Sequence, residues 1–293
     1  MSIYISVLNF FVSNYHSEWD HGHPEVKSNV GTDDHDIEYA MLQLKKKCIS
    51  GLGVDVYQKR VLEIGCGQGG NCIFAAMVGA KEVVGIDLSD SALETAEKLK
   101  ANVQHETGFE LNVSFLKMFA ENLKFEDGEL DIIIADNVFE HVNSVEVVMN
   151  ECARILRRGS KIIVPNFPSF RSKFGHHVKY GIRIPWVHLL FSERTIVLLM
   201  HKLAEKDPKM HYFYPGLKSG ATTFQEIRAY KDLNYISIKI FTDAAEQAGF
   251  KIESLFVTRP RWAWLLFKAM PFLRKTALED ILSIGTSSIL VKK

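Results

Sequence analysis

The sequence predicts a doubly wound α/β protein: a mostly parallel seven-stranded sheet with helices on both faces, plus helical cap insertions. Three observations carry this. From Arg60 onward, short apolar runs alternate with helical periodicity, the order that a parallel sheet with crossover helices requires. The first run stops at a glycine cluster, Gly65-Cys66-Gly67-Gln68-Gly69, and helical periodicity resumes at once. An acid, Asp87, closes the second run about twenty residues beyond that cluster.

The elements follow in chain order. Residues 1–34 are polar, histidine-rich and irregular after an apolar first dozen. A helix is predicted from about Asp36 to Ile49, with Ile37, Ala40, Met41, Leu44 and Cys48 at helical spacing and Gly51 and Gly53 as its stop. Then come strand 60–64, helix 70–78, strand 82–86, helix 90–104, strands 112–116 and 131–135, helix 144–157 and strand 161–164. Residues 165–235 interrupt the alternation with Pro165, Pro168, Pro185, Pro208 and Pro215, and carry helical stretches near 186–204 and 222–232. A strand-like segment at 235–240, a helix at 242–250 and strands 251–257 and 287–291 close the pattern. The organisation expected is a lid and helix at 1–54, a core at 55–164, a cap at 165–235 and the rest of the core at 236–293, with a second, aromatic insertion at 259–283.

Composition narrows the function. Lysine plus arginine equals aspartate plus glutamate at 35 each, so no basic footprint points to nucleic acid. The four cysteines, Cys48, Cys66, Cys72 and Cys152, are scattered and include no C-x-x-C, which argues against a disulfide framework and for reduced, cytoplasmic thiols. The apolar opening has neither a basic start nor a small-residue cleavage site, and no uncharged run reaches membrane-spanning length. A cytoplasmic location is the expectation.

The glycine cluster indicates what is bound. A strand ending in glycines turns with no Cβ in the way, so a ligand can lie against the turn and the helix N-terminus beyond it. Asp87 is placed to accept hydrogen bonds from the two hydroxyls of a ribose. Gly65, Gly67 and Gly70 also satisfy G-x-G-x-x-G, which keeps a nicotinamide dinucleotide, and hence an NAD(P)-dependent oxidoreductase, as an alternative. Glu63, two residues before the first glycine, suits an ammonium group better than a pyrophosphate.

In combination, E-I-G-C-G-x-G at 63–69, G-I-D-L-S at 85–89 and D-N-V-F-E-H-V at 136–142 resemble the class I S-adenosylmethionine-dependent methyltransferases. The likeness is strongest to the small-molecule group that includes the ubiquinone and menaquinone biosynthesis methylases. It covers residues 55–165 and resumes at 236–258 and 286–292. It implies a Rossmann-like fold and S-adenosyl-L-methionine as cofactor. Gly65, Cys66 and Gly67 would pass under the methionine portion, with Glu63 near its ammonium group, and Gly69 and Asn71 would complete the turn and open the helix. Asp87 would hold the ribose and Leu88 would pack on adenine. Asp136, Asn137 and Val138 would line the methionine side. One position departs from the family: Phe119 stands where many relatives carry an acid for the adenine amino group. A phenyl ring cannot accept that hydrogen bond, so Phe119 is expected to stack on adenine while Ala120 backbone groups read its edge.

The reaction implied is methyl transfer to a small molecule enclosed by the cap, with an apolar or ring portion and an oxygen acceptor preferred over carbon or nitrogen. A non-catalytic cofactor-binding subunit is a further alternative. An acceptor bearing a proton calls for a base. The candidates are His176 and His177, flanked by glycines just inside the cap, and His141, for which fixing the strand-to-helix turn is the favoured role. His188 is expected to be structural. No ligand spacing for a metal is present. The aromatic, basic run Arg259–Lys275 is expected to pack its aromatic face on the core; a peripheral membrane helix, a substrate lid and a dimer contact are the less favoured readings.

Overall fold

The computed structural model describes residues 55–173, 175, 182, 185–227 and 233–293. The expected N-terminal lid and helix, including Tyr15, Trp19 and Tyr39, lie outside the described residues, as do His176 and His177. The seven strands form a mostly parallel sheet in the order β3-β2-β1-β4-β5-β7-β6, the doubly wound, Rossmann-like architecture expected. In chain order these are β1 Arg60–Ile64, β2 Glu82–Asp87, β3 Val113–Lys117, β4 Leu130–Ala135, β5 Leu156–Phe167, β6 Phe250–Thr258 and β7 Gly285–Lys292. The chain divides into two compact units: the residues up to Ile134 together with Ile155–Pro165, and Ala135–Arg154 together with Asn166–Lys293.

In the first unit, β1, β2 and β4 are near-continuous apolar runs because both their faces are covered. β3 alternates buried and exposed residues, as a strand at the end of the sheet does. Helices α1 (Gly70–Met77) and α2 (Asp90–Thr107) connect β1, β2 and β3, which pair in parallel. Ser89 caps α2 by accepting from the Ala92 N–H at 3.3 Å, and Gly108 ends it in the left-handed conformation. One cluster joins Val61, Cys72, Ile73, Val83, Ala96, Phe115 and Ile134 into a core.

The second unit holds α3 (Val145–Ile155, whose last residue belongs to the first unit), α4 (Val187–Leu190), α5 (Glu193–Lys206), α6 (Met210–Phe213) and α7 (Phe224–Ile227). It continues with α8 (Ile238–Gln247), α9 (Arg261–Ala269) and α10 (Ala277–Leu282). Its cap segment has its own core. Ile196, Val197, Met200 and Ala204 line one face of α5 and pack with Val187, Met210, Tyr214, Leu217 and Ile227. β6 and β7 form an antiparallel pair.

Three expectations need correction. The segment 235–240 is not a strand: helix α8 starts at Ile238, because Ser237 Oγ accepts the Ile240 N–H at 3.0 Å and Asp280 Oδ1 accepts the Ile238 N–H at 2.8 Å. The helix near 186–204 is two helices broken at Phe191-Ser192, where Ser192 caps the second. The aromatic run does not turn its aromatic face to the core: only Ala263 and Phe267 of α9 are buried, while Trp262 and Trp264 are exposed.

Candidate cofactor site

The glycine turn of the first unit is built by backbone geometry. Gly67 (φ 51°) and Gly69 (φ 80°) both occupy the left-handed region, where any side chain is strained. At Gly69 space forbids a side chain as well, since a Cβ would stand 2.5 Å from the Phe115 ring. At Gly67 a Cβ would meet nothing within 4 Å, so the turn presents bare backbone to open space. Cys66 N–H donates to Ile86 O at 2.9 Å, which carries the β1–β2 pairing into the turn.

Asp87 ties the two strand ends together. Its Oδ2 accepts the Gly67 N–H at 2.9 Å and its Oδ1 accepts the Ser89 N–H at 2.9 Å. A carboxylate has about four acceptor positions, so each oxygen can still accept from a ribose hydroxyl. Leu88 follows immediately and is exposed, and so is Phe119, two residues past Lys117, which pairs with Asp87. Two apolar side chains thus stand bare at adjacent strand ends beside the carboxylate. Ala120 next to them is buried.

Glu63 lies beneath this turn, 2 % exposed. Asn71 Nδ2 donates to its Oε1 at 2.7 Å and the Cys72 thiol to its Oε2 at 2.9 Å. Burial, with help from Cys66 and Glu63, pushes the Cys72 thiol well up, so it stays protonated and remains a donor. Asn71 therefore reaches back to Glu63, a role that its place at the start of α1 did not reveal. Cys66 is buried, as the expectation of a small packing residue requires.

In the second unit, the segment that follows β4 is a tight loop. Asn137 takes a positive φ of 54°. Its N–H donates to Asn166 O at 2.8 Å, its Oδ1 accepts from Asn166 Nδ2 at 2.7 Å, and its Nδ2 donates to Asp136 at 3.0 Å. Val138, Phe139 and Val142 are buried. His141 donates its backbone N–H to Val138 O at 2.8 Å, and its Nε2 stands 4.0 Å from Glu140 Oε1. His188 Nε2 is 2.7 Å from Phe170 O, a structural contact as expected.

Two residues of this loop region were not singled out from sequence. Glu140 is as buried as Glu63, yet neither of its oxygens has a hydrogen-bond partner among the described residues. Burial first, and then the nearby Asp136 charge, push its carboxyl up to about 8, so it is largely protonated at neutral pH. Asn234, from the far end of the cap, clasps the loop: its Nδ2 donates to Phe139 O and Val142 O at 2.7 Å each, and its backbone N–H to Glu140 O at 2.9 Å. No local pattern marks Asn234, because its partners are more than ninety residues away.

The sheet order is the doubly wound, Rossmann-like one, and the glycine turn and the Asp87 clasp lie in the segment of the chain that matches a known family. Residues 62–164 match the family described as Methyltransferase domain, and that segment is such a domain. The norajmaline N-methyltransferase of Rauvolfia serpentina is 33 % identical over 109 residues, 37 % of this chain and 36 % of that protein. The ubiquinone biosynthesis O-methyltransferase of Alkalilimnicola ehrlichii is 31 % identical over 130 residues, 44 % of this chain and 48 % of that protein. The chain thus spans less than half the length of these curated relatives. Among solved structures, a SAM-dependent methyltransferase from Methanosarcina mazei superposes with a TM-score of 0.52 at 17 % identity, covering 83 % of this chain and 96 % of that one. At that identity the likeness speaks for the fold alone.

Proposed function

We propose that this protein transfers a methyl group from S-adenosyl-L-methionine to a small-molecule acceptor with an apolar or ring portion, an oxygen being the preferred acceptor atom. The observation that carries the reading is the Asp87–Gly67 hydrogen bond, with Leu88 and Phe119 exposed just past the ends of β2 and β3. A carboxylate with spare acceptor positions, exposed apolar side chains following it and the neighbouring strand, and an open glycine backbone match a ribose, an adenine and the methionine portion attached to that ribose. The residues present therefore fit the cofactor, which when bound supplies an electrophilic methyl group.

The chain's own part is positioning. Asp87 holds the ribose diol, Leu88 and Phe119 enclose adenine, and Ala120 offers backbone groups to its edge. Gly65, Cys66, Gly67 and Gly69 leave room for the methionine portion. Glu63 sets the charge beneath it and is itself oriented by Asn71, while Asp136, Asn137 and Val138 line the methionine side. Cap residues 165–235 enclose the acceptor and exclude water, which raises the effective concentration of the attacking atom. His176, His177 and His141 are the candidates to take the acceptor's proton. The free, buried Cys66, Cys72 and Cys152 support a reducing, cytoplasmic setting.

Thermal stabilisation by S-adenosylhomocysteine but not by NAD(P), followed by transfer of labelled methyl groups across a panel of phenols, acids and amines, tests the reading. Ligands that bind only the native state raise its melting temperature. Stabilisation by NAD(P) instead would point to the oxidoreductase. Stabilisation by S-adenosylhomocysteine with no labelled product would point to a binding subunit.

A further inference from the structure

We propose that α9 and the turn after it form a docking surface for an anionic lipid headgroup boundary. This inference stands independently of the methyl-transfer reading. The run from Arg259 to Leu278 contains five cations and no acid, although the whole chain is balanced in charge. α9 buries only Ala263 and Phe267, one turn apart on a single stripe. The opposite face carries Trp262 and Leu265, 59 % and 61 % exposed, and the following turn adds Phe272 at 71 %. Arg261 and Lys268 are exposed beside that stripe, and Arg274 beyond Phe272.

The exposed face is presented by a fixed base. Arg259 pairs with Glu279 at 2.8 Å, both largely buried, and its guanidinium lies 4.5 Å from the Phe267 ring centre. The Lys275 N–H donates to Glu279 at 2.6 Å, closing the segment on itself. Lys268 Nζ stands 5.1 Å over the Trp264 ring, an ammonium held beside an indole. Bulky aromatics and aliphatics that enter the acyl boundary, rimmed by cations that meet phosphate, are the chemistry of a helix lying in the plane of an interface. Aliphatic Leu265 on that face suits acyl chains. The charge sign selects anionic over zwitterionic lipid.

The test uses the full chain in sedimentation with phosphatidylcholine vesicles, with and without phosphatidylglycerol. Binding is expected only to the phosphatidylglycerol vesicles, with a blue shift in tryptophan emission. The double variant Trp262→Glu/Leu265→Glu, which alters only exposed positions, should abolish both signals while keeping the wild-type melting temperature. Arg261→Gln, Lys268→Gln and Arg274→Gln together should weaken binding about a hundredfold at low salt, about fivefold for each cation. Binding that survives the Trp262→Glu/Leu265→Glu change, equal binding to both vesicle types, or no binding to either would overturn the proposal. So would light scattering that shows a dimer dissociated by that double variant without vesicle binding, which would assign the face to a second copy of this chain.

Discussion

Glu63 and Glu140 are equally buried carboxyl groups that the fold treats in opposite ways. Glu63 is met by an amide and a thiol, so each of its oxygens has a donor. Glu140 lies in a loop three of whose carbonyls are met by Asn234, while its own side-chain oxygens have no hydrogen-bond partner among the described residues. A buried polar group left without partners costs free energy, and here the fold limits that cost by keeping the proton on. The first acid is part of the scaffold under the glycine turn. The second is a largely protonated acid near His141 and Asp136, five residues past the end of β4.

The largest expected effect separates the two by pH. Folded, Glu140 keeps its proton up to about pH 8; unfolded, it releases it near the ordinary 4.5. Between those values the native state binds the extra proton, so stability falls as pH rises and is greatest below the lower value. Glu140→Gln should remove that fall, shifting stability relative to wild type by about 1.4 kcal/mol per pH unit, or about 4 kcal/mol from pH 5 to pH 8. Urea melts at several pH values measure it, and parallel slopes for the two proteins would refute the assignment. Glu63→Ala should instead destabilise at every pH by about 3 kcal/mol, because the buried Cys72 thiol and the partly buried Asn71 amide lose their acceptor. A loss below about 1 kcal/mol in the same melts would mean that those donors find other partners. Asn234→Ala should cost about 2 kcal/mol and raise amide hydrogen exchange through residues 139–142, since two carbonyls lose their donor. Unchanged exchange there would show the loop to be self-supporting.

The glycine turn was legible in the sequence because its causes are local. Strand, glycines, helix and Asp87 all fall within thirty residues, and the hydrogen bond from Gly67 to Asp87 joins two of the predicted residues. The loop after β4 was legible only in part. Its motif was plain, but its clasp, Asn234, comes from the other side of an insertion. The alternating Tyr-Ile-Ser-Ile-Lys-Ile of 235–240 has a strand's period, yet Asp280, more than forty residues on, caps the start of α8. Likewise, the sequence predicts the fifth strand only over 161–164, after a helix reaching 157. Instead β5 begins at Leu156 and takes up the extra residues in a bulge against β4. The aromatic run showed its helical period, but which face it buries is decided by Arg259 and Glu279, the second of which lies beyond the helix.

Calorimetric titration of S-adenosylhomocysteine into wild type and Asp87→Ala tests the central claim most directly, with a thermal melt confirming that the variant is folded. The account predicts one site in the wild type and affinity weakened about a hundredfold or more in the variant, as the loss of charge-assisted hydrogen bonds of about 3 kcal/mol requires. Equal affinity in the two proteins, or no heat of binding in the wild type, would contradict it.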